Sequence, residues 1–175
     1  MEYDGYANIS AALPLLAMSF RPVALPPDVP GTLWLSAMPG RLEPWPAFVA
    51  EARQARLSQL VCLTPREELA ELSPAYHAAV VQGSLAWRWL NLPMGDFGLP
   101  YDKPAFRHGI TQIAAALRNG DVVLMHCAAG LGRTGTAAAC VLKALGLGAP
   151  DALQRIRDAG SNPQNALQSG MVEWF

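Results

Sequence analysis

The sequence predicts an α/β fold: one domain with a central, mainly parallel sheet flanked by helices. Three observations predict it. Short apolar runs alternate with stretches of helical spacing along the chain. The 175 residues suit one domain and leave little room for a second. Just over half of them, 51%, are hydrophobic, enough for a sizeable core.

The elements follow in order. Residues 1–30 read as an N-terminal lead-in segment packed on the domain that fills 31–175. Within the lead-in, Ile9 to Phe20 is mostly apolar but broken by Ser10, Pro14 and Ser19 and preceded by Glu2 and Asp4. That pattern fits neither a signal peptide nor a membrane span. Pro26, Pro27 and Pro30 make an irregular approach to a short strand, Thr32 to Ser36. Trp45 to Arg56 has helical composition, with Pro44 and Pro46 near the start, where proline is tolerated. Gln59 to Leu63 is a buried strand. Thr64-Pro65-Arg66-Glu67-Glu68 reads as a helix start with Thr64 as its cap. Pro74 to Val81 is a short helix and Trp87 to Leu92 a strand. Pro93 to Pro100 is a loop, since Pro93, Gly95 and Gly98 interrupt it. Lys103 to Arg118 carries Phe106, Ile110, Ile113 and Leu117 on one helical face. Val122 to Met125 is a buried strand, and Thr134 to Leu145, Ala149 to Asp158 and Asn165 to Phe175 are helices.

Charge narrows the function classes. Charged residues are 15% of the chain and the formal net charge is −1, so no global field attracts nucleic acid or an anionic membrane. Three widely spaced cysteines, Cys62, Cys127 and Cys140, make neither a disulfide framework nor a zinc set. They suggest a reducing compartment. The chain is expected to be cytoplasmic and monomeric, with no metal and no cofactor. Any anion must be bound by a local site.

One string supplies that site. His126-Cys127-Ala128-Ala129-Gly130-Leu131-Gly132-Arg133-Thr134-Gly135 lies between an apolar strand and a helix. A phosphate monoester is a dianion. Short residues ending at a helix N-terminus can aim several backbone amides at one point, making a nest that the helix dipole reinforces. Arg133 adds a planar fork that matches two phosphate oxygens at once. The same field favours the nucleophilic, ionised form of Cys127. Thr134 is expected to donate its hydroxyl to that sulfur, and His126 to orient the loop from outside it. A bare cysteine and arginine at this spacing arise often by chance as a core thiol and a surface cation; the longer string is far more specific. It is not the nucleotide-binding GxxxxGK[ST] loop, which has no match here.

This string resembles the active-site motif of the protein tyrosine phosphatase superfamily, and its filling is similar to the dual-specificity branch. Leu35 to Gly40, Val61 to Leu69 and the tail from Arg155 to Gln168 resemble the kinase-associated, cyclin-dependent-kinase-inhibitor-3-like group. The resemblance implies a cysteine-phosphatase fold and phosphomonoester hydrolysis through a cysteinyl-phosphate, with a phosphorylated protein or peptide as substrate. It also implies a proton donor on a mobile loop roughly thirty residues before the cysteine. Asp96, 31 positions ahead of Cys127, fits; Asp102 is its rival, unless it merely caps the following helix. Gln168 is expected to position the hydrolytic water. Some relatives join the catalytic cysteine to a second one, which makes Cys62 a candidate redox partner, the alternative being a small core residue. The same chemistry on a phosphoinositide or nucleotide stays open, although a loop of Ala128, Ala129, Leu131 and glycines lacks the lysines that polyphosphates favour. A rhodanese-type sulfurtransferase or an inactive binding module fits less well, because the Arg133-Thr134-Gly135 ending and both reactive residues are present.

Overall fold

The computed structural model describes residues 19–175. Five strands form one sheet in the order β1-β2-β5-β3-β4. Strand β2 (Thr32–Ser36), β3 (Gln59–Cys62), β4 (Arg88–Asn91) and β5 (Val122–His126) run parallel, and β1 (Arg21–Val23) is antiparallel at the edge beside β2. The three inner parallel strands, β2, β5 and β3, are largely apolar and buried because helices cover both faces, whereas the edge strand β4 is only half-buried.

Alternation along β5 shows the two layers. Val123 and Met125 join one core with Leu33, Leu35, Val61 and the residues of α4 (Lys103–Arg118), α5 (Gly132–Ala144), α6 (Ala149–Asp158) and α7 (Ala166–Trp174). Leu124 faces the other core, with Leu60, Phe48 of α1 (Trp45–Gln54), Leu69 of α2 (Arg66–Leu72) and Tyr76 of α3 (Pro74–Val81). Helices before β4 therefore lie on one face, and those after it on the other. The change of face occurs around β5, where ligands bind in sheets of this kind, outside the carboxyl ends of the strands.

Register sharpens the point. His126 lies level with Ser36 on one side and Cys62 on the other, and Cys62 lies level with Asn91. The loops that follow all four strands thus emerge side by side, about 4.8 Å apart at their roots.

Two expectations need correction. The strand Arg21–Val23 lies in what the sequence suggests is irregular lead-in; Pro22 conceals it, and an edge strand tolerates proline because one side of its ladder is unpaired. The remainder of the apolar stretch Ile9 to Phe20, up to residue 18, lies outside the described residues. Thr64 is not a helix cap. Pro65 occupies that position without a side-chain bond, and the Thr64 hydroxyl meets the Cys62 sulfur at 3.3 Å. Among the described residues no helix is long and apolar enough to cross a membrane.

Candidate active site

Cys127 is 3% exposed and sits at the base of an open cavity of about 310 Å³. Arg133, Asp96, Glu68, Arg41, Phe97 and Gln164 are among the residues around it. The backbone of the loop explains why an anion belongs there. The Ala128 carbonyl is turned outward, accepting from Met38 N at 3.2 Å and from Arg41 Nη1 at 2.8 Å. The Gly130 carbonyl is also turned outward, accepting from Ser161 Oγ at 2.6 Å and from Arg21 Nη2. In a trans peptide the C=O and the next N–H point in opposite directions. The amides of Ala129 and Leu131 are therefore directed inward. Gly130 N donates to Cys127 Sγ at 3.3 Å. The amides of Ala128, Ala129, Leu131, Gly132 and Arg133 donate to no protein group among the described residues. The result is a ring of free donors at the N-terminus of α5.

Gly130 is required by shape. Its φ is +73°, and a Cβ there would run into the Ser36 carbonyl. The neighbouring strand thus approaches the loop as closely as backbone allows.

Arg133 is held from the other side. Its Nη1 and Nη2 donate to the two oxygens of Glu68 at 2.8 and 2.7 Å, a fork-on-fork pair, and Nη1 also approaches Met94 O at 3.4 Å. Burial alone would lower the Arg133 pKa, but Glu68, Cys127 and Asp96 outweigh it and the net shift is upward. The side chain is 4% exposed.

His126 is fully buried beneath the loop, and its pKa falls to about 4, chiefly through burial. Its surroundings fix the tautomer. Trp89 Nε1 donates to the Tyr76 hydroxyl at 2.9 Å, so that hydroxyl's own proton goes to His126 Nε2, also at 2.9 Å. Nδ1 then carries the imidazole proton and donates to the Cys127 carbonyl at 3.2 Å. A chain of three donors ends on the backbone of the cysteine itself.

The Asp96 carboxylate is 67% exposed and lies 3.5 Å from Arg133 Nη2. Its loop is closed at the base by a Met94–Pro100 bridge. Asp102, the rival, caps α4 by accepting from Ala105 N at 2.9 Å.

The structure also redistributes some expectations. The Thr134 hydroxyl is buried and has no hydrogen-bond partner among the described residues, so the bond expected to Cys127 is not formed. Gln168 is fully buried with both ends of its amide occupied, accepting from Gln164 N at 2.9 Å and donating to Gly98 O at 3.2 Å. It does not line the cavity; Gln164 does, lying against Gly132. Cys62 is buried, with burial raising its pKa, and its strand neighbour is the residue just before Cys127. Cys140 is core, its pKa pushed up to about 12 by burial. Among the described residues no three His, Cys, Asp or Glu side chains cluster as metal ligands.

Glu68, Arg21, Gln164 and the Trp89–Tyr76 pair escape sequence reasoning. The helix-start pattern includes Glu68 only as part of the first turn after Thr64 and Pro65, and nothing local says that it reaches across to residue 133.

The family described as Swiss Army Knife protein, DSP-PTPase phosphatase domain, matches residues 29–170. Among solved structures, the chain is similar to a kinase-associated phosphatase with its catalytic-site cysteine replaced by serine (TM-score 0.76, 21% identity, 89% of this chain and 92% of that one). It is also similar to human tyrosine phosphatase-like serine/threonine/tyrosine-interacting protein (0.65, 19%, 84% and 91%). A third similar structure is PTPMT1 in complex with PI(5)P (0.59, 19%, 81% and 88%). These likenesses are of fold. No curated protein matches by sequence.

Proposed function

We propose, because the chain belongs to the DSP-PTPase phosphatase domain family, that its cysteine-based phosphoester hydrolysis runs on Cys127 and is directed at phosphorylated proteins, phosphotyrosine first among them. The observation that carries this is the loop with its carbonyls bound outside and its amides left free around the Cys127 sulfur.

Each step then has a residue. The phosphate dianion sits on the loop amides from Ala128 to Arg133, with the Arg133 guanidinium, aimed by Glu68, on two of its oxygens. The Cys127 sulfur attacks phosphorus as the P–O bond to the leaving group breaks. Asp96 gives that oxygen its proton, because an alkoxide or phenoxide leaves poorly without one. Its carboxylate afterwards takes a proton from the water that attacks the cysteinyl-phosphate, and Gln164 positions that water. The Thr134 hydroxyl, without a partner among the described residues, turns to the sulfur as the P–S bond breaks. His126 holds the backbone of Cys127 from below. In this reading the catalytic domain, residues 31–175, takes one cation, Arg21, from the lead-in of residues 1–30.

Protein substrates fit the walls of the cavity. Leu72, Phe97 and Leu131 offer apolar contact for a ring or side-chain stem, and among the described residues Arg41 is the one cation lining it besides Arg133. A polyphosphorylated headgroup would call for more positive charge. The likeness to PTPMT1, whose complex holds PI(5)P, makes a phosphoinositide the right comparison.

The test assays p-nitrophenyl phosphate, phosphotyrosyl and phosphoseryl peptides, and a phosphoinositide with wild type, Cys127→Ser and Asp96→Ala. We expect Cys127→Ser to abolish turnover while still binding phosphopeptide. Asp96→Ala should lower kcat by about 10²-fold or more on poor leaving groups. Wild-type turnover by Cys127→Ser removes the nucleophile from this reading. A higher kcat/KM on the phosphoinositide than on every peptide removes the protein substrate.

A further inference from the structure

We propose that Asn165 is a positioning residue for the proton donor: its side-chain amide holds the tip of the Asp96 loop over the cavity. The proposal rests on Asp96 being the general acid.

The base of that loop is tied to the domain. Met94 N donates to Leu63 O at 3.0 Å, and within the loop Gly95 N closes on Leu99 O at 3.2 Å. Among the described residues the tip, Asp96 and Phe97, makes no backbone bond outside the loop except through α7. Asn165 Nδ2 donates to Phe97 O at 2.6 Å, and Gln168 Nε2 donates to Gly98 O at 3.2 Å. The two carbonyls just after Asp96 are thus both gripped by the first turn of one helix.

The tip needs a grip. Phe97 has φ +52°, in the left-handed region that a bulky non-glycine residue avoids. Its ring is 58% exposed, so burial does little to hold that conformation. An external bond to its carbonyl does so directly.

The orientation of the Asn165 amide is forced. Its Oδ1 accepts from Gln168 N at 3.0 Å, capping α7, so Nδ2 must face the loop. Gln168 is polarised in the same way, with Oε1 on Gln164 N and Nε2 on the loop. One turn of helix therefore sets both the acid and the segment that carries Gln164.

This double use suggests a clean variant. Aspartate caps a helix as well as asparagine, but its carboxylate cannot donate to Phe97 O and repels it. Serine caps too, but is too short to reach the loop. We would compare wild type, Asn165→Asp, Asn165→Ser and Asp96→Ala on aryl phosphates ranging from activated dinitrophenyl to unactivated phenyl leaving groups, and record each melting temperature. For both Asn165 variants we expect kcat/KM, which reports the steps through leaving-group departure, to fall about five- to tenfold on phenyl phosphate, the worth of one hydrogen bond, and to change less than twofold on dinitrophenyl phosphate, with melting temperatures close to wild type. Wild-type dependence on the leaving group in both variants overturns the proposal. So does an equal loss on every substrate accompanied by a lower melting temperature, which is structural damage. Asp96→Ala separates the two readings: if it too is insensitive to the leaving group, the acid assignment fails, and if it alone is sensitive, only the role of Asn165 fails.

Discussion

Replacing Glu68 by alanine leaves a nearly buried guanidinium without its main partner. Arg133 is 4% exposed and Glu68 24%, and the pair makes two charge-assisted bonds of 2.7 and 2.8 Å. Removing one partner of a fully buried pair costs about 3–5 kcal/mol, because the survivor keeps its desolvation penalty. Here Glu68 lies at the rim, while Met94 O at 3.4 Å and Asp96 at 3.5 Å still face the cation. About 2 kcal/mol is the reasonable figure, which in a domain of this size lowers Tm by about 4–8 °C. Catalysis should suffer more than stability. A guanidinium that rotates freely no longer presents its fork to two phosphate oxygens, and kcat/KM on p-nitrophenyl phosphate should fall about 10²-fold. Glu68→Gln keeps one acceptor and should fall between the two. The assay is steady-state kinetics beside thermal melts on the same preparations. A Glu68→Ala enzyme with wild-type kcat/KM and Tm would refute the claim that this carboxylate aims Arg133.

Two further outcomes follow from buried groups. His126 is neutral in the fold with a pKa of about 4, whereas the unfolded chain takes up its proton near 6.5. The unfolded state therefore binds more protons between those values, and stability falls as pH drops from 6.5 to 4, by roughly 3 kcal/mol from this residue. Denaturant melts across that range should show the slope, and His126→Gln should flatten it; an unchanged slope would mean that other groups carry it. Peroxide should convert Cys127 to a sulfenic acid that condenses with the Cys62 thiol, losing water and forming a disulfide. Peptide mapping should find the crosslink and thiol reductant should restore activity, whereas Cys127 oxidised alone leaves Cys62 as core.

What the sequence reveals of this molecule is what local chain geometry determines. The string from His126 to Gly135 reads correctly as strand, loop and helix because each feature is set by neighbours in the chain: an apolar run, glycines, then a helix start. The α4 face and the parallel sheet are legible for the same reason. The losses occur where a side chain's direction is set elsewhere. Thr64 sits where a cap residue belongs, yet its hydroxyl goes to the Cys62 sulfur. Gln164 and Gln168 are four residues apart, but the helix begins only at Ala166. Gln168 is therefore carried inward while Gln164, still in the preceding loop, stays at the cavity. Nor does any local pattern mark Glu68 or Arg21, since their partners lie 65 and 109 positions away.

The partners also explain why a ten-residue string cannot work alone. Each outward carbonyl of the loop is bound by a different part of the fold: Ala128 by the chain after β2, Gly130 by β1 and by the segment after α6. Arg133 is aimed by α2, which follows β3, and the Asp96 loop, which follows β4, is held by α7. These segments converge because four parallel strands end level with one another. A one-residue slip of any of them would carry its loop about 3.3 Å along the sheet and turn its side chains to the opposite face. That displacement exceeds the tolerance of a hydrogen bond, so the register of the sheet is itself a condition for the geometry around Cys127. Core substitutions at Leu124 or Val61, far from any phosphate, should therefore act on catalysis through loop position as well as through stability.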